Sequence, residues 1–112
     1  PYVTIPFPEK TKGKLPESIF EVIRENKKRG LHTLCLLDVI AEEEKYMLVN
    51  EGLRILLEGR VINSEDGIVV FTKTGSDKPM MVYDNVDNLI KRNVKDSPSI
   101  IIILGKLHFT EK

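Results

Sequence analysis

Four consecutive isoleucines, Ile100–Ile103, closed by Leu104, constrain the fold of this chain most strongly. Isoleucine is stiff at χ1 and packs well on a pleated surface. The run is too short for a buried helix, so it predicts a central strand. Two other stretches read the same way. Leu31–Val39 is nearly continuously apolar around Thr33 and Cys35, the pattern of a strand covered on both faces, and Ile68–Thr72 is a second such run.

Helical patterns separate these strands. Ser18 stands three residues before Glu21, the spacing of a capping box, and Pro16 allows a start just upstream. Ile19, Val22 and Ile23 give that helix an apolar face, and Lys27, Lys28, Arg29 and Gly30 end it with cations and a left-handed cap. Val49, Leu53, Leu56 and Leu57 define a second helix ending at Gly59. A third carries Val86, Leu89 and Ile90, with Asp84 as its expected N-cap and Asp87 in its first turn. Tyr2–Phe7 alternates like a half-buried strand, with Pro6 marking a sheet edge. Pro8–Gly13, Glu42–Lys45, Asn63–Gly67 and Thr74–Pro79 read as loops, and Met80–Tyr83 as a short strand. Gly105-Lys106 has the chemistry of a tight turn into a last strand, Leu107–Phe109.

The order βαβαβαββ predicts an α/β domain with a mixed sheet of about five strands and helices packed on it. The βαβ unit from Leu31 to Thr72 calls for parallel strands with a right-handed crossover. A length of 112 residues fits one domain. Lys+Arg and Asp+Glu both number 17. That balance argues against nucleic-acid and anionic-membrane partners. No apolar run approaches the ~20 residues of a membrane span. A single cysteine, Cys35, excludes an internal disulfide and makes a cytoplasmic location the default expectation. The start at Pro1, without Met and directly into a strand, is read as the mark of a fragment.

Catalytic signatures are absent. His32 and His108 stand far apart with one cysteine, which makes no metal-ligand cluster. No G-x-S-x-G elbow, P-loop or G-x-G-x-x-G occurs. His32, just before a strand, is expected to make a structural hydrogen bond, and Cys35 to be a small core residue. One rule locates a candidate cleft: in open α/β sheets ligands bind beyond the carboxyl ends of the parallel strands. Here those ends are Leu37-Asp38 and Lys73-Thr74-Gly75.

Three strings resemble the diphthine synthase family. They are Phe20–Asn26 running into Arg29-Gly30-Leu31-His32-Thr33-Leu34 and Leu36-Leu37-Asp38, then Thr74–Pro79, then Gly105–Phe109. Their order and spacing resemble the C-terminal half of that family over the whole chain, and the lack of a long insertion after Asp38 resembles its archaeal members. The resemblance implies one of the two α/β domains of a tetrapyrrole methylase-like fold, residues 1–112 being the C-terminal domain and the N-terminal domain lying outside this chain. It implies a methyltransferase that uses S-adenosyl-L-methionine and yields S-adenosyl-L-homocysteine. The expected protein substrate is translation elongation factor 2, methylated on the amino group of its modified histidine during diphthamide biosynthesis, by a homodimer. Carried over residue by residue, the cofactor contacts fall on Leu37, Thr74, Ser99 and the adjoining Ile100. For these to meet, the Ile100–Leu104 strand must run antiparallel to the other two. Ser99 stands where an archaeal relative has His, and Leu48 where relatives place a Thr N-cap. No residue is evident as a general base, and the isolated chain is expected to be inactive. Other readings are a tetrapyrrole (corrin precursor) methylase domain and a non-catalytic ligand-binding or dimerisation module.

Overall fold

The computed structural model describes residues 1–73, 79–92 and 99–105. Among the described residues, seven strands and three helices follow in the order β1 (Tyr2–Ile5), α1 (Glu17–Lys28), β2 (Thr33–Leu37), β3 (Val39–Ile40), β4 (Lys45–Tyr46), α2 (Val49–Glu58), β5 (Gly67–Lys73), β6 (Pro79–Asn85), α3 (Val86–Arg92) and β7 (Ser99–Ile103). Short 3-10 turns cover Pro8–Thr11 and Ala41–Glu43. Five strands form a mixed sheet in the order β1-β2-β7-β5-β6, and β3 with β4 makes a separate two-stranded ribbon.

The isoleucine run is the centre of the sheet. β7 lies between β2 and β5 and is antiparallel to both, so β2 and β5 point the same way. The expected parallel direction therefore holds, but the two strands are not neighbours, because β7 takes the place between them. β1 joins β2 in parallel at one edge, as Pro6 predicted an edge, and β6 closes the other edge antiparallel to β5. The predicted last strand, Leu107–Phe109, lies outside the described residues.

Residues paired across neighbouring strands share a face. One face carries Val3, Ile5, Cys35, Leu37, Ile68, Val70, Ile101 and Ile103, all buried. All three helices cover it, with Phe20, Ile23, Val49, Leu53, Leu56, Val86 and Leu89 packed in the core. The other face consists of two rows. Tyr2, Leu34, Ile102, Val69 and Tyr83 form one, and Thr4, Leu36, Ile100, Phe71 and Met81 the other. No described residue closes this side: Tyr2, Leu34, Met81 and Tyr83 are 69%, 39%, 67% and 66% exposed. This corrects the expectation that Leu31–Val39 is covered on both faces. Its even positions, Leu34 and Leu36, sit on the open side.

Helix ends also depart from expectation. α1 begins at Glu17 with Pro16 as N-cap, so Ser18 lies inside the first turn and forms no capping box. The Pro16 carbonyl instead accepts the amides of Ile19 and Phe20. The buried stripe of α1 is Phe20, Ile23 and Asn26, while Val22 faces outward at 43% exposure. Asn26 donates from Nδ2 to Thr33 Oγ1 at 3.0 Å, a buried polar pair tying α1 to β2. Gly30 is left-handed as predicted, at φ 75°. At the end of α2 the left-handed residue is Arg60, not Gly59. Gly59 is required for another reason: a Cβ there would collide with the Phe20 ring. α3 is capped by Asn85, whose Oδ1 accepts the Asn88 amide at 2.8 Å, one residue later than the expected Asp84. Asp84 is the penultimate residue of β6 instead, and its carboxylate accepts Asn85 N–H and Asn88 Nδ2.

Candidate site at the strand ends

The carboxyl ends of β1 and β2 and the start of β7 meet at one end of the sheet. Leu36 pairs with Ile100 and Thr72 with Ser99, so Leu37, Ser99 and Thr72 follow one another across three strands. Of the four residues carried over, Leu37 and Ser99 lie on the same face at neighbouring strands, while Ile100, next to Ser99, turns to the other face. Thr74 lies outside the described residues, one position beyond the end of β5 at Lys73.

Each of the three is held differently. Leu37 is buried, and its Cδ2 lies over the backbone of Gly52 in α2, with Ile101 and Met47 beside it. A Cβ at Gly52 would stand 2.6 Å from that methyl, so the glycine is what lets β2 and α2 approach. Ser99 is buried and its Oγ lies 2.8 Å from Thr72 Oγ1. Ile100 projects from the opposite face, half-buried among Leu36 and Phe71.

Asp38, next to Leu37, locks this end. Its carboxylate accepts the amides of Phe7 at 3.0 Å and Val39 at 2.8 Å, and pairs with Lys10 Nζ at 3.0 Å. Its backbone donates to Ile5 and accepts from Met47. Three separate segments are thereby fixed to one residue. Burial alone would raise the Asp38 pKa, but the hydrogen bonds from Phe7, Lys10 and Val39 outweigh it and hold the carboxyl below its ordinary value. The sequence marked Asp38 only as a strand end, since its three partners come from residues remote along the chain or from the main chain.

Two of the strings singled out in the sequence turn out to be one contact. The Gly105 amide donates to His32 Nδ1 at 2.7 Å, which puts the ring proton on Nε2. A Cβ at Gly105 would stand 2.5 Å from the Gly30 carbonyl carbon and 2.6 Å from Leu31 O. His32 therefore has the structural role expected of it. Cys35 is fully buried, and burial pushes its thiol up to about 12, which leaves it in the unreactive protonated form.

What this end offers a ligand is apolar wall, a hydroxyl pair and main-chain groups at the strand ends. Asp38 and Lys10 are paired with each other at this end. A cavity of about 630 Å³ exists at the opposite end of the sheet, bordered by Lys27, Asn63, Asp66 and Tyr83. Two of its charged groups are already engaged: Lys27 Nζ donates to Val61 O at 2.8 Å, and Asp66 accepts the Asn63 amide at 2.9 Å. Among the described residues no cluster of three or more His, Cys, Asp or Glu forms a metal site, and no helix is long and apolar enough to cross a membrane.

No protein-family model matches the chain. Individual relatives do. The diphthine synthase of Methanocaldococcus jannaschii is 45% identical over 97% of this chain and 45% of its own length. That of Methanococcus vannielii is 40% identical over 96% of the chain and 44% of its own length. The chain thus spans less than half the length of the curated relatives it matches. Among solved structures, a conserved hypothetical protein of Aeropyrum pernix superposes with a TM-score of 0.78 at 26% identity, over 98% of this chain and 41% of that one. A crystal structure of diphthine synthase gives 0.69 at 24% identity, over 88% and 38%, a likeness of fold. With matching sequence over nearly all its residues and a matching mixed α/β fold, the chain belongs with the diphthine synthases, as a homologue of their C-terminal part.

Proposed function

We propose that this chain is the C-terminal domain of a two-domain methyltransferase of diphthamide biosynthesis. In this reading the whole protein transfers a methyl group from S-adenosyl-L-methionine to the amino group of the modified histidine of translation elongation factor 2, in the cytoplasm and as a homodimer. The observation that carries the reading is the 45% identity to a diphthine synthase across 97% of the chain. The strand-end geometry supports a share in the cofactor site. Leu37 and Ser99 would line one side of the cleft, Ile100 would contribute its backbone at the strand start, and Thr74 follows the end of β5 in sequence. Methyl transfer from a sulfonium needs no metal; it needs the amine and the methyl carbon held in line. The part of this chain is to wall and orient, and no catalytic residue is assigned to it.

The test is hydrogen–deuterium exchange on the full-length protein with and without S-adenosylhomocysteine, together with transfer of labelled methyl to unmethylated elongation factor 2. Protection is expected in peptides covering 37–40 and 99–101. Transfer without protection there would reject the site and keep the activity; absence of transfer would reject the activity.

A further inference from the structure

A buried hydroxyl costs free energy unless it finds a partner. At the strand ends two are buried together. Thr72 and Ser99 are each 6% exposed, and Thr72 Oγ1 lies 2.8 Å from Ser99 Oγ. The next residues inward on the same face of the same two strands, Val70 and Ile101, are buried and apolar. Two alkyl groups of the same shape would fill the space about as well, so packing alone does not call for a hydroxyl pair here. The pair also closes a ladder. The β5–β7 register runs from Ile68 and Ile103 as far as Thr72 and Ser99, whereas the β2–β7 register ends one step earlier, at Leu36 and Ile100. Ser99 is the first residue of β7, and strand ends are where local opening begins. Threonine is stiff at χ1, so its Oγ1 holds one place.

We propose that Thr72 is a positioning residue of the cofactor site: its hydroxyl holds Ser99 Oγ, and with it the start of β7, where Ser99 meets S-adenosyl-L-methionine. The proposal rests on the reading above of Ser99 as a cofactor contact, and adds a residue to which that reading gave no part. Thr72 acts through Ser99 and not on the reacting atoms. A hydroxyl pair uses one of its two protons, so fixing Oγ1 also fixes the directions in which Ser99 donates and accepts. The consequence is specific. Loss of the Thr72 hydroxyl should reach the cofactor only by way of Ser99, and should act on cofactor affinity more than on the rate of transfer.

The test is a double-mutant cycle in the full-length protein, read by calorimetric titration of S-adenosylhomocysteine and by KM for S-adenosylmethionine against kcat, with circular dichroism as a check on folding. Thr72→Val keeps the shape and removes the hydroxyl. It should raise Kd and KM roughly fivefold, the worth of one net hydrogen bond, with kcat changed far less. Thr72→Ser should restore both constants. Ser99→Ala should weaken binding similarly, and Thr72→Val added to it should cost nothing more, because coupled partners are not additive. Should Thr72→Val fail to fold, Thr72→Ala takes its place in the cycle. Additive losses would overturn the proposal, since Thr72 would then act by another route. Wild-type Kd and KM in Thr72→Val, beside weakened binding in Ser99→Ala, would overturn it and leave Ser99 in the site. Unchanged binding in Ser99→Ala would remove Ser99 from the site, and Thr72 with it.

Discussion

Asp38 concentrates more tertiary structure than any other single carboxylate described, and its chemistry makes a pH prediction. Its folded pKa is depressed, so its contribution is fully present above the unfolded value of about 3.8 and is lost as pH falls through the lower folded value. Asp38→Asn should destabilise at neutral pH, by roughly 1–3 kcal/mol, because the charge-assisted bonds to two amides and Lys10 are weakened. The gap from wild type should close below pH 3.8. Urea unfolding of both proteins across that range checks the sign; a gap that widens in acid would refute it. A second prediction concerns Gly105. Gly105→Ala drives a methyl into the backbone at Gly30 and Leu31 and disturbs the bond to His32, so a loss of about 1–3 kcal/mol is expected in the same assay. His32→Ala should cost less, about 1 kcal/mol, since it removes one partly buried bond and no overlap.

Among the elements, strands were far more legible in the sequence than helix boundaries, for a physical reason. Ile100–Ile103 and Ile68–Thr72 announce strands through composition alone, and the antiparallel setting of β7 follows from the residues that the family resemblance places together, Ser99 beside Leu37. Caps depend on one residue's dihedral angles, which neighbouring candidates share. Asp84 and Asn85 are both good cap residues, and only the length of β6 decides for Asn85. Likewise Gly59 reads only as the end of a helix until Phe20, thirty-nine positions earlier, is seen against it. The open face was illegible because Leu34 and Leu36 are as apolar as their buried neighbours. One cap makes a prediction. Leu48 precedes α2 in extended conformation at φ −80°, ψ 155°, with no side-chain cap, while Glu51 Oε1 already accepts the Leu48 amide at 2.9 Å. The box is therefore half built. Leu48→Thr should complete it through Oγ1 and the Glu51 amide, raising stability by about 0.5–1 kcal/mol, measured as a higher urea midpoint at unchanged slope.

At the scale of the whole molecule, the strand-end groups of this chain are occupied in holding the chain itself together. Thr72 and Ser99 satisfy one another, Asp38 is engaged by two amides and Lys10, and Leu37 is committed to the packing of α2. In the proposed reading such a wall orients a ligand without enclosing it, and among the described residues it presents no group poised to take a proton. Alignment of reacting groups is worth as much as ~7–11 kcal/mol of a barrier, and one wall cannot impose it. The chain also spans only 45% of the length of a diphthine synthase that it matches. The expected outcome is therefore a folded 112-residue chain with no detectable methyl transfer to elongation factor 2, whether or not it dimerises. Incorporation of labelled methyl from S-adenosylmethionine, with the longer protein as the positive control, measures this directly. Turnover by the chain near the rate of the longer protein would mean that the strand-end wall is a complete active site, and the division of labour argued for Leu37, Ser99 and Ile100 would have to be abandoned.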